Sequence, residues 1–348
     1  MSNTAAPSDK SPQIASAACW PHGQPLTEEA VKSAQQHAVL SIQRFIASHR
    51  LPGTYGDVFT GLAIPLAAWL IRAQRSLGRP LMMSMGGAQG TGKTTLAQAL
   101  ILVLERCFAV SGCVLSLDDF YLSHRERTDL GRGLHPLLAT RGVPGTHDVA
   151  LLARTLTYLR TAEAKDLTRL PRFDKHRDDQ APKEQQRLIS GQPRIIILEG
   201  WCLGAQPQPE QALHKAINEL EQQQDPGGRW RNYVNDQLAG PYQDLMAPMD
   251  YHLHLAAPSW EAVLRWRWQQ EQALIRSEGT AYQGGLDSPP AFADFMAHYE
   301  RLTRSLLAGQ DNQADILLQL NEQQCLSNLV LKPAITPIAP PTTSNKGS

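Results

Sequence analysis

From Thr27 to Arg50 the apolar positions Val31, Ala34, Ala38, Ile42, Phe45 and Ile46 recur at helical spacing. That pattern predicts a helix, with Thr27 as its N-cap and Glu28 and Glu29 in its first turn. A second helix is predicted over Val58–Leu77, stopped by Gly78, Arg79 and Pro80. Then the rhythm changes. Leu81–Met85 is a short, mostly apolar run ending in glycines, the signature of a buried strand. Lys93–Val110 returns to helical spacing, with Leu96, Leu100, Val103, Leu104 and Phe108 on one side. Strands are predicted at Cys113–Leu117, Arg194–Gly200, Tyr251–Ala256 and Asp315–Leu320, the last taken as the end of the sheet, and a helix at Val149–Arg160.

Strands that alternate with helices predict an α/β fold in three layers, with a mostly parallel sheet covered on both faces. Residues 1–25 and 333–348 are rich in Ser, Ala, Thr and Pro and read as disordered. Between them lie a helical extension (26–78) and one main domain (79–332). The Gln-, Pro- and Trp-rich stretch 203–247 reads as a helical insertion in that domain.

Composition narrows the classes. The chain has 348 residues, long enough for a sizeable core. Lys+Arg and Asp+Glu are equal at 33 each, which argues against a polyanion binder, so no nucleic-acid partner is expected. Five cysteines are scattered, odd in number and without metal-ligand spacing, and read as free thiols of a reducing compartment. The N-terminus lacks a basic region followed by an apolar core. The longest apolar run, Gly61–Ile71, is too short to cross a bilayer. The expectation is a cytoplasmic protein with no membrane partner; oligomeric state is not legible.

The chemistry is concentrated in a few stretches. "GGAQGTGKTT" (Gly86–Thr95) contains G-x-x-x-x-G-K-[ST] at Gly87, Gly92, Lys93 and Thr94, between a predicted strand and a predicted helix. Glycines there let the amides of Ala88, Gln89, Gly90, Thr91 and their neighbours turn toward phosphate oxygens. The helix N-terminus, with Thr94 and Thr95, adds its dipole. Lys93 would reach the β- and γ-phosphates and Thr94 would ligate Mg²⁺. "SLDDF" places Asp118 and Asp119 just past a buried strand, where ligands of open α/β sheets bind. One can serve Mg²⁺ and the other a reacting hydroxyl, or either can cap a turn. Glu199 ends the apolar run "IIILE", a place suited to Mg²⁺ or its water shell. Arg141 and His147 flank a Pro-Gly turn and are free to meet a substrate, while Asp148 can cap the helix that follows. "PRFDKHRDD" offers Lys175 among several cations, and "WEAVLRWRWQQE" offers Arg265 and Arg267 on a lid-like helix.

In this order, "GAQGTGKTT", "SLDDFYLS", "RGVPGTHD", "PRFDK", "ILEGW" and "WRWQQE" resemble D-glycerate 3-kinase and related kinase-like proteins. That group sits in the phosphoribulokinase, uridine kinase and pantothenate kinase branch of P-loop kinases. The resemblance implies a P-loop kinase fold, ATP and Mg²⁺, and transfer of a phosphoryl group to a hydroxyl of a small metabolite, D-glycerate first. It gives Asp118 the role of general base, Glu199 and Asp119 a place with Thr94 at the metal, and Arg265 that of lid arginine. Asp118, Tyr121, Arg141, His147 and Lys175 form the implied substrate-facing set. Gln180 departs from the pattern, standing where an arginine is expected. Two other readings stay open: a kinase for a nucleoside or another small hydroxylated metabolite, with Tyr121 leaving an aromatic slot open for a base, and a slowly hydrolysing ATP-binding regulatory or assembly protein.

Overall fold

The computed structural model describes residues 25–332 except 280, 281 and 283. The expected disorder of 1–25 and 333–348 therefore lies outside the described residues, except at Pro25. The strands, in chain order, are β1 (Leu81–Gly87), β2 (Gly112–Ser116), β3 (Leu167–Arg169), β4 (Phe173–Asp174), β5 (Asp179–Gln180), β6 (Leu188–Ser190), β7 (Ile195–Glu199), β8 (Tyr251–Ala256), β9 (Ile316–Leu320) and β10 (Leu326–Leu331).

Six of them form one sheet in the order β10-β9-β8-β1-β7-β2. Every neighbouring pair is parallel except β9 and β10. β3 pairs with β6 and β4 with β5 in two small antiparallel ribbons. The sheet does not stop at β9, as the sequence suggested. β10 escaped notice because it is an edge strand whose Ser327 and Asn328 face solvent, which breaks the apolar signal.

Alternate residues of each strand serve opposite layers. Leu81, Met83, Met85, Ile195 and Ile197 pack against Leu96, Leu100 and Val103 of helix Lys93–Phe108. Met82, Cys113, Leu115, Ile196 and Leu198 pack on the other side, against Leu152, Leu156 and Leu159 of helix Val149–Thr161. The N-terminal helices join the first of these layers: Val31, Ile42, Phe45, Phe59 and Leu70 belong to the same core as β1.

Two predicted helices differ in detail. The single helix expected over Thr27–Arg50 is two, Glu28–His37 and Val39–Ser48, broken at Ala38 (φ −105°, ψ 9°). The break lets both halves bury their apolar side, Val31 in one and Ile42 and Phe45 in the other. Thr27 caps the first half as expected, its Oγ1 accepting from the Ala30 amide at 3.2 Å. The next helical stretch begins at Tyr55, widens into a π-turn at Phe59–Ala63, and runs to Leu77. At 23 residues it is long and apolar enough to cross a membrane, though most of it is buried inside the fold. Cys107, Cys113, Cys202 and Cys325 are free thiols; Cys19 lies outside the described residues.

Candidate active site

The site lies at the C-terminal end of the parallel strands, where the sheet presents its loops. β1 delivers the loop Gly87–Thr94. Gly87 has φ 143°, and a Cβ there would lie 2.7 Å from the carbonyl oxygen of Leu255 on β8, so the turn out of β1 demands glycine. Gly90 has φ 80° and sits against Trp266; a Cβ would come within 3.0 Å of the Trp266 Cβ. The loop is therefore pressed directly against helix Trp260–Glu278. Inside it the Thr91 hydroxyl donates to the Ala88 carbonyl at 2.9 Å, and so does Lys93 Nζ at 2.9 Å. Burial pushes the Lys93 ammonium below its ordinary value, while the nearby Glu199 and Asp118 carboxylates oppose the shift. Among the described residues both amide atoms of Gln89 are buried without a hydrogen-bond partner. Ala88 is buried and Thr95 half-buried beside them. A residue outside the sequence expectations, Gln324 in the turn between β9 and β10, donates its side-chain amide to the Gly90 carbonyl.

β7 brings Glu199 to the loop. It is buried, and its Oε1 accepts from the Thr94 hydroxyl at 3.0 Å. β2 brings the aspartate pair, which stands on a short 3₁₀ turn, Leu117–Phe120. Asp119 Oδ1 accepts from the Phe173 amide at 3.1 Å, tying β4 to the end of β2. Burial raises its carboxyl above the usual range, opposed by that amide. Thr94, Asp119 and Glu199 line a cleft of about 540 Å³, which is also lined by Phe45 and His49 of the N-terminal segment. Among the described residues no three His, Cys, Asp or Glu side chains converge as a metal site. A Mg²⁺ bound through one hydroxyl, water and phosphate oxygens does not need such a cage, and the Thr94–Glu199 pair fits that mode of binding.

Asp118 faces the other way. Its Oδ2 accepts from Lys175 Nζ at 2.7 Å and its Oδ1 from the Tyr121 hydroxyl at 3.0 Å. Burial alone would raise its pKa, but the Lys175 ammonium, with smaller help from His147 and Tyr121, holds it down to about 2. Tyr121 is buried, its ring stacked on His147 at 4.4 Å and edge-on to Phe173 at 5.3 Å. The ring is buried with His147 stacked on one face, so the expected aromatic slot at Tyr121 is corrected: its hydroxyl serves Asp118 and its ring is core. Gln180, the departure from the family pattern, donates to the Tyr121 carbonyl at 2.7 Å and so braces the same turn.

Arg141 reaches this group but is not free. Asp178 pairs with it, and Arg127 in turn holds Asp178 through Oδ2 at 2.9 Å and the backbone carbonyl at 2.7 Å. Asp178 has φ 52°, a left-handed conformation rare for a residue with a side chain, and sequence spacing gave no sign of it. Arg141 stays about a third exposed and its guanidinium lies 5.8 Å from the Phe173 ring centroid. Asp148 caps helix Val149–Thr161, accepting from the Leu151 amide at 2.8 Å.

Arg265 is the second correction. Its guanidinium pairs with Glu322 and is nearly half exposed. Arg267 pairs with the buried Glu271 at 2.6 Å, and its charge is felt at the Tyr299 hydroxyl together with those of Asp118 and Arg141. Two residues on a helix differ by about 200° in direction, so Arg265 and Arg267 cannot both face inward.

Three buried histidines have an acid-stability consequence. Burial holds His147 and His252 down to about 4 and His254 to about 3. Their folded values lie below the ordinary 6.5, so the unfolded chain takes protons first. Their neutral burial is fully tolerated above pH 6.5 and becomes costly as pH falls from 6.5 toward 4, by at most about 1.4 kcal/mol per pH unit for each. The expected melting temperature falls steeply between pH 6.5 and 4.5; a flat profile would contradict three neutral buried rings.

The sequence is 32% identical over 235 residues to the uncharacterized kinase mug58 of Schizosaccharomyces pombe, an alignment that covers 64% of this chain and 79% of that protein. It is 28% identical over 257 residues to the chloroplastic D-glycerate 3-kinase of Arabidopsis thaliana, 70% of this chain but about half (53%) of the plant protein. The solved D-glycerate 3-kinase of Cryptococcus neoformans has the same fold, with a TM-score of 0.61 at 20% identity over 78% of this chain and 99% of that one. No protein-family model matches the chain. With the phosphate loop, the strand-end acids and the parallel sheet in place, the chain belongs to the P-loop kinases of the D-glycerate 3-kinase family.

Proposed function

We propose that the protein transfers the γ-phosphoryl group of ATP to a hydroxyl of a small anionic metabolite, with D-glycerate as the first candidate. The observation that carries the reading is the position of Asp118. Its carboxylate lies within the electrostatic reach of Lys93, between Lys175 and Tyr121. A hydroxyl resting on Asp118 therefore faces phosphates resting on Lys93. The loop amides bind the phosphate oxygens, and Lys93 leaves the Ala88 carbonyl for the β- and γ-oxygens. Thr94, with Glu199 and Asp119 through water, would hold Mg²⁺, which supplies positive charge over the phosphates. Asp118 orients the hydroxyl and takes its proton. At a pKa of about 2 it is a weak base, which suits a loose transition state in which the proton leaves late. The carboxylate of an acid such as glycerate finds Arg141 nearby, already aimed by Asp178. The name of the plant relative supports the choice of D-glycerate.

Arg267, not Arg265, is assigned the charge-balancing role on the lid helix. Arg267→Ala is expected to lower kcat by about 10²-fold, and Arg265→Ala, which loses an exposed ion pair and a hydrogen bond to Glu322, by less than about threefold. The reverse ranking in steady-state kinetics would return the role to Arg265.

The acceptor is tested by ADP release from Mg·ATP with and without D-glycerate, then with a panel of small hydroxy acids, sugars and nucleosides. Stimulation by a nucleoside alone would replace the acceptor. Stimulation by none, with ATP bound, would favour a regulatory ATP-binding protein.

A further inference from the structure

One side chain on the acceptor side is buried and incompletely bonded. His147 is 5% exposed, and its Nε2 has no hydrogen-bond partner among the described residues. Its other nitrogen, Nδ1, lies 2.5 Å from the hydroxyl of Tyr242. Tyr242 comes from the π-turn Leu238–Tyr242 in the 203–247 insertion, 95 residues further along the chain. Two neutral partners at 2.5 Å leave the proton's position to be settled by the rest of the network.

The network settles it. The Tyr242 oxygen already accepts from the Gly145 amide at 3.3 Å. The phenol is buried, and burial pushes its pKa well above 10, so it keeps its proton. No other acceptor is bonded to that hydroxyl among the described residues, so it donates to Nδ1. A nitrogen that accepts carries no hydrogen. The ring is buried and held neutral, so its one hydrogen is on Nε2. The outcome is an N–H donor, fixed in position by the Tyr121 stack on one side and Tyr242 on the other. A buried donor without a partner is costly to leave unmade. Its charge environment includes Asp118, whose field reaches the ring.

We propose that Tyr242 is a positioning residue that locks His147 as the Nε2–H tautomer, and that this N–H donates to an oxygen of the phosphoryl acceptor beside Asp118. The insertion thereby reaches into the site and sets what the acceptor must offer there: a lone pair, as on a carboxylate or ether-like oxygen, and not a donor such as an ammonium or amide N–H. Arg141 supplies charge to the acceptor; His147 supplies direction without adding charge. The kinetic consequences rest on the acceptor reading above, while the tautomer does not.

The test therefore has two arms. Long-range ¹H–¹⁵N spectra of the free, ¹⁵N-labelled protein, with His147→Gln to assign the peaks, read the tautomer directly. An Nε2–H ring in wild type is expected, with the bare Nδ1 resonance moving downfield in Tyr242→Phe as the hydrogen bond to its lone pair is lost; an Nδ1–H ring in wild type, or an Nδ1 resonance that the substitution does not move, overturns the proposal. The second arm measures KM and kcat for whichever acceptor best stimulates ADP release from the wild type. Tyr242→Phe is expected to raise acceptor KM about tenfold, the effect of one lost hydrogen bond, with kcat within about threefold and the KM for ATP unchanged. His147→Gln keeps an N–H near the Nε2 position and is expected to stay within about fivefold of wild-type KM, whereas His147→Ala is not. Unchanged acceptor KM in both Tyr242→Phe and His147→Ala overturns the proposal. If D-glycerate is not the acceptor, only the assigned substrate falls, since both arms run on the acceptor found.

Discussion

Asp118→Asn is expected to lower kcat by about two to four orders of magnitude and leave the affinity for ATP nearly unchanged. The amide keeps the shape of the carboxylate and can still accept from the Tyr121 hydroxyl, which bonds Oδ1 at 3.0 Å. It cannot take a proton. The fold should survive, because the partner that loses its charge, Lys175, is more than half exposed and can be solvated. The proposed ATP site is on another element, the loop after β1, and no described hydrogen bond joins Asp118 to that loop. Steady-state kinetics with saturating acceptor, alongside nucleotide binding by calorimetry, separates the two effects. Turnover within tenfold of wild type would remove Asp118 from the base role and leave it as an anchor for Lys175.

Lys93→Met is expected to cost about 10²- to 10³-fold in kcat/KM, the range for deleting one preorganised charged donor at a phosphoryl site. Its effect on stability should run the other way. Lys93 is buried, and among the described residues its Nζ bonds only the Ala88 carbonyl, with no carboxylate within ion-pair distance. Burial already pushes its pKa down. A charge held there without a phosphate is a cost to the free protein, and methionine fills a similar volume without it. The melting temperature of the variant should be unchanged or higher, and ATP should no longer raise it. A variant that melts lower and keeps its activity would contradict both halves.

The core of this site was legible because its parts are local. The phosphate loop is one continuous stretch, and the acids sit at the ends of apolar strands, where hydrophobic pattern alone places them. β1, β7 and β8 stood out because they are buried on both faces. What spacing could not supply were relations between distant segments. Tyr242 meets His147 across 95 residues, and Asp178 orients Arg141 across 37. Tyr121 looked like an open aromatic until the fold placed His147 on one face. The resemblance favoured Arg265; the partners separate it from Arg267, since Arg265 pairs with the exposed Glu322 and Arg267 with the buried Glu271. Edge strand β10 and helix Pro289–Gln313 were missed for a related reason. The strand's outward residues are polar, and the helix has mixed faces because it lies between two core clusters.

The most direct test of the central claim is transfer itself. Purified protein is incubated with γ-labelled ATP, Mg²⁺ and D-glycerate, and label in glycerate is counted against ADP formed, for the wild type and for Asp118→Asn. One labelled glycerate per ADP in the wild type, with transfer nearly absent in Asp118→Asn, is the predicted result. ADP formed at the same rate without an acceptor, or label that goes to water instead of a hydroxyl, would contradict it.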